Sequence, residues 1–375
     1  MPELIGSEGE IVMAYQRLSE PQLRAFIEAV MAKYGFTEKQ AKDIADVVLT
    51  ADLQGLESHG IQRLIRYHNG ILSGAIDPTA TPVIEYETPL SAVINANGAM
   101  GQITAVFAME QAIAKAKQTG FGAAVVHNTN HFGVGGYYTN MAAKEEMIGL
   151  CFTNTEAISV PTFGKKAMLG TNPIAFSMPA DPIPLMYDVA TTVVPRGKLE
   201  VYAKQGKPMP LGWAVDENGN DTDDAARVLG NIKNKAGGGI LPLGGSGPIT
   251  GSHKGYGTML LVEIMSSIIA GGHTSNHVAR NGNGDTSQSF FAIDYGMFGD
   301  KAKQSADLST LLQELRESPK ADGRERIFTP GEMEMESRAD KLKNGVPASD
   351  ATMEELRGIA AHFGMDFDAL VPVIG

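Results

Sequence analysis

Residues 91–127 read SAVINANGAMGQITAVFAMEQAIAKAKQTGFGAAVVH, and this stretch decides the class of fold. The segments 91–98 and 122–127 are short, apolar and rich in valine and isoleucine, which predicts two strands. Between them, residues 102–118 repeat apolar side chains at helical spacing and end before Gly120, a residue typical of helix C-termini. The stretch therefore predicts a mixed α/β core.

Similar patterns extend this core towards the C-terminus. Apolar runs in 147–154, 174–191 and 290–294 predict further strands, and helical spacing returns at 307–316 and 353–363. No internal repeat of fixed period is present. The predicted class is α/β, mixed in the α+β sense, with helices near both ends of the chain.

The N-terminal region is predicted to be helical. Helices are expected to begin after Ser19 and Thr37, because each is followed three residues later by glutamine in the capping-box pattern. A third helix is predicted over 57–72, so that 19–72 forms a helical unit. The segment IDPTATP (76–82) is expected to be a linker.

Composition excludes several classes of protein. The chain has 375 residues, 43% of them hydrophobic, and a net charge of -12, which disfavours a nucleic-acid partner. The only cysteine, Cys151, has no intrachain disulfide partner and lies in a predicted buried strand. The start of the chain (1–16) lacks a secretory pattern, and the apolar segment 257–272 is interrupted by Glu263. We expect a cytoplasmic protein with no membrane partner.

The stretch ESHGIQRLIRYHNGI (57–71) combines an apolar stripe with polar residues. On a continuous helix His59, Arg63 and Tyr67 would share one face. This face has two interpretations. It is a solvated surface with Ser58 as N-cap, or it is a chemical site in which Arg63 binds a carboxylate, Tyr67 adds a hydrogen bond and His59 carries a proton. The second arrangement suits a 2-hydroxy or 2-oxo acid.

The common nucleotide-binding fingerprints are absent from the sequence. No G-x-G-x-x-G lies between a strand and a helix with an acid about 20 residues later. A Walker A loop is also excluded, because Lys254 is preceded by His253 and followed by Gly255. Any nucleotide must be held in another way.

Two glycine-containing segments, 130–142 and 251–263, lead into predicted helices and are candidate anion sites. Plain turn chemistry is the alternative for each of them. The glycine-rich segment 230–255 is either a functional loop or a disordered surface insertion.

Two other chemistries lack support. His127 and His131 have no cysteine or carboxylate partner at metal-ligand spacing, so no metal site is predicted. The tripeptide around Ser246 is not the G-x-S-x-G of a serine hydrolase.

Eight ordered motifs resemble the malate/L-lactate dehydrogenase family, the type-2 group that also holds L-sulfolactate, ureidoglycolate, diketogulonate and piperideine-carboxylate enzymes. They are LQGLESHGIQRL, TNHFGVGGYYTNMA, LGTNPIAFSMP, YDVATTVVPRGKLE, GWAVDENGN, GGILPLGG, GSHKGYG and FTPGEMEME. The similarity extends from about residue 19 to the end of the chain. It implies a non-Rossmann fold with a helical domain (1–90 with 301–375), a central mixed-sheet cofactor domain (91–300), and a homodimer whose active site lies between subunits.

The resemblance also implies roles for matching residues. His59 becomes the proton donor and acceptor, Ser58 its orienting partner and Arg63 the ligand of the substrate carboxylate, with His131 as a second candidate base. Further substrate contacts are expected from Thr171, Arg196 and Gly197. The expected cofactor contacts are His131, Phe132, Gly133, Gly135, Asp188, Ala190, Thr191, His253, Lys254, Gly255, Pro330, Gly331 and Glu332. Some relatives place an aspartate shortly after PRGK to complete a relay, and this chain has none there.

The sequence thus predicts an oxidoreductase that moves a hydride between a 2-hydroxy acid and NAD, with NADP as the alternative cofactor. Malate is the expected substrate, and its distal carboxylate requires a second cation, either Arg196 or a group from the partner subunit. The alternatives are another 2-oxo acid or cyclic imine substrate of the same family, or a nucleotide-sensing protein without catalysis.

Overall fold

The computed structural model describes residues 15–278 and 285–374. The predicted absence of a secretory signal falls almost wholly on residues 1–14, outside the described residues. The strands are β1 Tyr15–Leu18, β2 Val83–Glu87, β3 Ser91–Asn95, β4 Phe121–Thr129, β5 Ile148–Thr153, β6 Ile174–Met178, β7 Leu185–Val189, β8 Ala214–Val215, β9 Gly239–Ile240, β10 Thr286–Ile293 and β11 Val346–Ser349. The α-helices are α1 Glu20–Lys33, α2 Glu38–Leu53, α3 Leu64–Leu72, α4 Gly101–Thr119, α5 Gly135–Lys144, α6 Arg196–Gln205, α7 Ala225–Asn234, α8 Ser252–Glu263, α9 Lys301–Glu317, α10 Glu332–Asn344, α11 Asp350–His362 and α12 Phe367–Leu370.

Two compact units are present. One combines the described residues up to Gly74 with Ala180–Leu185 and Ala302 onwards, and the other comprises Ala75–Pro179 and Met186–Lys301. The first boundary lies between Gly74 and Ala75 and not at residue 90, the position that the resemblance implies. The reason is that β2 pairs with β3 and therefore belongs to the second unit.

The helical unit contains α1 to α3, most of α9, and α10 to α12. Its two chain segments are joined by antiparallel pairing of β1 with β11, from Tyr15 opposite Ser349 to Leu18 opposite Val346. The predicted capping box at Thr37 is confirmed. The backbone N–H of Gln40 donates to Thr37 Oγ1 at 3.3 Å, and the backbone N–H of Thr37 donates to Gln40 Oε1 at 2.9 Å. The box predicted at Ser19 is wrong. Its side chain caps nothing, and Pro21 at the second helical position has no N–H to offer it.

The second unit is built on a seven-stranded sheet in the order β2-β3-β4-β10-β5-β6-β7. β3 and β4 are parallel and are joined by α4, whereas β10 runs antiparallel to both of its neighbours. The predicted mixed α/β class with a central mixed sheet is therefore confirmed. Gly120 ends α4 with a φ of 84°, as its position after the apolar repeat predicted.

The segment 230–255 is structured, so the disordered-insertion interpretation is wrong. It contains the end of α7, the strand β9 and a 3-10 turn at Pro248–Thr250, and the Ile240 amide donates to the Ile158 carbonyl at 2.9 Å. Cys151 lies in β5 as predicted, and burial raises the pKa of its thiol well above the usual range. Within residues 15–278 and 285–374, no helix has the length and apolar character needed to span a bilayer.

Candidate active site

The stretch carrying Ser58, His59 and Arg63 is not one helix, so this prediction is wrong. Two 3-10 turns, Glu57–His59 and Ile61–Arg63, precede α3. Gly60 lies between them with φ -88° and ψ -144°, a conformation that interrupts helical hydrogen bonding. His59 and Arg63 therefore do not share a helical face, and Ser58 does not act as an N-cap.

His59 is held by the serine that precedes it. Ser58 Oγ lies 2.9 Å from His59 Nδ1, which fixes the orientation of the imidazole ring. Burial, together with the nearby charges of Arg63 and Arg66, lowers the pKa of His59 from 6.5 to about 4. The ring is consequently neutral at pH 7, the form that accepts a proton.

Arg63 and Tyr67 are fixed to the same segment. Arg63 Nε donates to the Ser58 carbonyl oxygen, so the guanidinium is tied to the turn that carries His59. Tyr67 is only 1% exposed, which contradicts the interpretation of this face as fully solvated. The local structure thus brings together a neutral histidine, the hydroxyl group that contacts it and an arginine within the helical unit.

Asp52 contacts the turns that carry His59 and Arg63, and the sequence patterns did not identify it as a candidate residue. It lies in the last turn of α2 and is 1% exposed, and its Oδ2 accepts a hydrogen bond from the Ile61 amide at 2.8 Å. The available signal was an acidic residue within an apolar helical run, between Ala51 and Leu53.

The predicted cofactor residues His131, Phe132, Gly133 and Gly135 lead into α5 in the α/β unit. Asp188, at the end of β7, accepts a hydrogen bond from the Gly136 amide at 2.8 Å. The Asp188 carboxylate therefore accepts the hydrogen bond of a backbone amide at the start of α5. The sequence predicts that the amides of this helix start are available for a phosphate. The Phe132 ring stacks on Tyr138 with centroids 5.1 Å apart and belongs to the core.

Thr171 and Thr191 are adjacent in the structure. The Thr191 amide and hydroxyl both donate to the Thr171 carbonyl, at 2.9 and 3.0 Å, while the Thr171 amide donates to Thr155 Oγ1 at 3.0 Å. Because Ala190 directly precedes Thr191, the predicted segment after β7 and the predicted substrate residue form one hydrogen-bonded site.

Arg196 begins α6 and is engaged by two carboxylates. Its Nε lies 3.0 Å from Glu200 Oε1 and its Nη1 lies 3.4 Å from Glu156 Oε1. A second carboxylate from a substrate would have to compete with these partners. Beside it, a Cβ added at Gly197 would meet nothing within 4 Å, so packing does not require glycine there.

The start of α8 carries the predicted residues His253, Lys254 and Gly255. His253 and Lys254 are exposed. Gly255 is required by packing, since a Cβ there would lie 2.2 Å from the Leu243 carbonyl oxygen. This helix start therefore presents a cationic surface on a tightly packed glycine loop.

The predicted late contact, Pro330 to Glu332, belongs to the helical unit. Glu332 is buried and accepts hydrogen bonds from Arg316, Arg326 and Thr329, at 2.8, 3.1 and 3.0 Å. Burial alone would raise the pKa of Glu332, but the hydrogen bonds from these three side chains outweigh it and the pKa is lowered. The carboxylate is thus part of an internal ion-pair network.

A buried carboxylate also supports the Thr171 segment. Glu263 is 3% exposed and accepts hydrogen bonds from Asn172 Nδ2 at 2.8 Å and from both the amide and the hydroxyl of Ser275 at 2.7 Å. In the sequence, Glu263 serves only to exclude a membrane span.

His127 is one of the two histidines at which the sequence predicts no metal site. Its Nε2 lies 2.9 Å from Glu85 Oε2.

The chain is similar to known dehydrogenases over most of its length. Residues 18–357 match the family model described as malate/L-lactate dehydrogenase. A malate dehydrogenase from Pyrococcus abyssi is 40% identical over 96% of this chain and 98% of that protein. A malate/(S)-sulfolactate dehydrogenase from Methanothermus fervidus is 36% identical over 93% of this chain and 98% of that protein.

The fold has a close structural counterpart as well. The crystal structure of malate dehydrogenase from Entamoeba histolytica superposes with a TM-score of 0.90 and 34% identity, over 94% of this chain and 99% of that chain. From the matched residues, the identity and the shared fold, this chain belongs to the malate/L-lactate dehydrogenase family.

Proposed function

We propose that this protein catalyses the reversible oxidation of L-malate to oxaloacetate with NAD, with NADP as the alternative cofactor. The observation that carries the proposal is the neutral His59, held by Ser58 on the turn to which Arg63 is also tied. The 40% identity to a malate dehydrogenase supports the choice of substrate.

In this proposal His59 accepts the proton of the C2 hydroxyl during oxidation and returns it during reduction. Arg63 pairs with the C1 carboxylate and so orients C2, an effect of position that is worth several kcal/mol in favourable cases. When bound, the nicotinamide supplies the carbon that accepts the hydride from C2. Thr171 and Tyr67 are proposed to add hydrogen bonds to the substrate, and His131 is the second candidate base.

The α8 start fits the cofactor phosphates better than the α5 start. Lys254 and the helix end offer positive charge there, whereas Asp188 already places a carboxylate at the beginning of α5. We assign Asp188 to the hydroxyl-bearing part of the cofactor, because a carboxylate accepts hydrogen bonds from hydroxyl groups and repels phosphates.

A homodimer is proposed on the basis of one exposed surface, which we call the α8 apolar face. It consists of side chains that are 42–55% exposed and lie in α8 and the residues that follow it: Leu260, Leu261, Ile264, Ile268 and Ile269. An apolar patch of this kind marks an association surface, and a second copy of the chain is the occupant we propose. We also propose a reducing, cytoplasmic location, because the single cysteine is buried and has no disulfide partner.

The test is nicotinamide absorbance after purified protein is mixed with oxaloacetate, pyruvate, sulfopyruvate or piperideine carboxylate, each with NADH and then NADPH. Oxaloacetate is expected to react fastest, and the better coenzyme assigns cofactor preference. His59→Ala should lower turnover by roughly two to four orders of magnitude while cofactor affinity is unchanged. If His59→Ala retains turnover but His131→Ala does not, the base is His131. Cofactor binding without turnover on any acid would instead favour a non-catalytic nucleotide sensor.

A further inference from the structure

Asp52 is a buried carboxyl group directly beneath the turn that carries His59. Its Oδ2 accepts the Ile61 amide at 2.8 Å, and its backbone carbonyl accepts Lys341 Nζ at 2.8 Å. A carboxyl group is seldom buried to this degree unless it has hydrogen-bond partners, since removal from water disfavours its charged form.

The carboxyl group and Gly60 are in direct contact. A Cβ added at Gly60 would lie 1.9 Å from Asp52 Oδ1 and 2.1 Å from its Cγ. The φ of Gly60 is -88°, which other residues also adopt, so this contact rather than a left-handed backbone requires glycine. Asp52 and Gly60 therefore fit together as a matched pair.

The contact lies at the junction of two turns. The His59 amide donates to the Leu56 carbonyl at 2.8 Å in the first turn, and the Arg63 amide donates to the Gly60 carbonyl at 2.8 Å in the second. Each turn is closed by its own hydrogen bond, and Gly60 and Ile61 connect the turn that carries His59 to the turn that carries Arg63. A shift of this connection therefore changes the position of His59 relative to Arg63.

We propose that Asp52 is a positioning residue that holds the Gly60–Ile61 junction and thereby sets the placement of His59 relative to Arg63. The inference rests on the proposed acid–base role of His59. Asp52 itself touches neither substrate nor cofactor in this role; its carboxyl group acts through the backbone.

The charge state of Asp52 suggests a conservative variant. The pKa of Asp52 is raised to about 8, because burial and the nearby charge of Glu57 outweigh the opposing effects of the Ile61 amide and Lys341. The group is thus mainly neutral at pH 7. Asparagine has the same size and charge and retains a carbonyl oxygen to accept the Ile61 amide, whereas alanine removes the acceptor and leaves a space.

The experiment measures kcat, substrate KM and cofactor KM at pH 7 for Asp52→Asn, Asp52→Ala, Gly60→Ala and the double variant Asp52→Ala/Gly60→Ala. Asp52→Asn should stay within about threefold of the wild type, because its hydrogen bond is retained. Asp52→Ala and Gly60→Ala should each lower kcat on the order of tenfold to a hundredfold without changing cofactor KM. The double variant should recover part of the loss of Gly60→Ala, since the space beneath the junction then accepts the new methyl group.

Ile44→Ala is the matched control, because Ile44 is fully buried in the same helix α2 and is remote from the turn in sequence. The inference is overturned if Ile44→Ala lowers kcat as much as Asp52→Ala at the same loss of Tm, or if Asp52→Asn is as damaging as Asp52→Ala. Should Asp52→Ala fail to fold, Gly60→Ala carries the test with the carboxyl group intact. A His59→Ala variant with full turnover would overturn the acid–base role itself, whereas an inactive His59→Ala with fully active Asp52→Ala and Gly60→Ala would overturn this inference alone.

Discussion

The low pKa of His59 makes stability depend on pH, and His59→Gln is the variant that removes this dependence. Burial, followed by Arg63 and Arg66, lowers the pKa of His59 from 6.5 to about 4. This difference corresponds to about 3.4 kcal/mol between the two protonation states. Because the folded-state pKa is depressed, the stabilising contribution is present above pH 6.5 and is lost as the pH falls through 4. Between pH 7 and pH 5 the wild type should lose about 2 kcal/mol more than His59→Gln.

The measurement is urea-induced unfolding followed by far-UV circular dichroism at pH 7 and pH 5. The difference between wild type and His59→Gln is taken at each pH, so that the titration of other groups cancels. Arg66→Gln provides a second check, because removal of this exposed charge should raise the His59 pKa and reduce the loss. A wild-type-minus-variant difference that is the same at both pH values would refute the low pKa, and with it the argument that His59 is a neutral base held by burial.

Two further predictions concern packing. Gly255→Ala should lower the free energy of unfolding by about 1–3 kcal/mol, because its methyl group would meet the Leu243 carbonyl. Gly257→Ala is the control, since a Cβ there has open space in the same helix, and it should leave the free energy of unfolding unchanged or raise it by up to about 1 kcal/mol. Equal effects of the two substitutions on the unfolding curves would contradict the packing argument. Leu261→Glu in the α8 apolar face should convert a dimer into a monomer in light scattering after size exclusion, since a charge would be buried against the second copy. A monomeric wild type, or a variant that remains dimeric, would count against this face as the interface.

Local patterns in the sequence were enough to predict much of the fold. The strands around 91–127, the strand containing Cys151 and the end of α4 at Gly120 follow from side-chain periodicity and glycine geometry, which act over a few residues. The same applies to the capping box at Thr37. The motifs around Ser58 and His59 also predicted membership of the family before any contact between distant residues was known.

Tertiary structure decided the features that depend on residues far apart in the chain. Helical spacing predicts His59, Arg63 and Tyr67 on one face, but in the structure Gly60, in close contact with the Asp52 carboxyl group, separates two 3-10 turns. In the same way, only the fold placed Asp188 at the start of α5. Hydrophobic periodicity records which residues are buried, whereas the partner that each buried polar group finds depends on how the elements pack. The sequence by itself thus determined the strands and helices with strong local periodicity and the candidate residues. The fold determined the break at Gly60 and the hydrogen-bond partners and protonation states of the candidate residues.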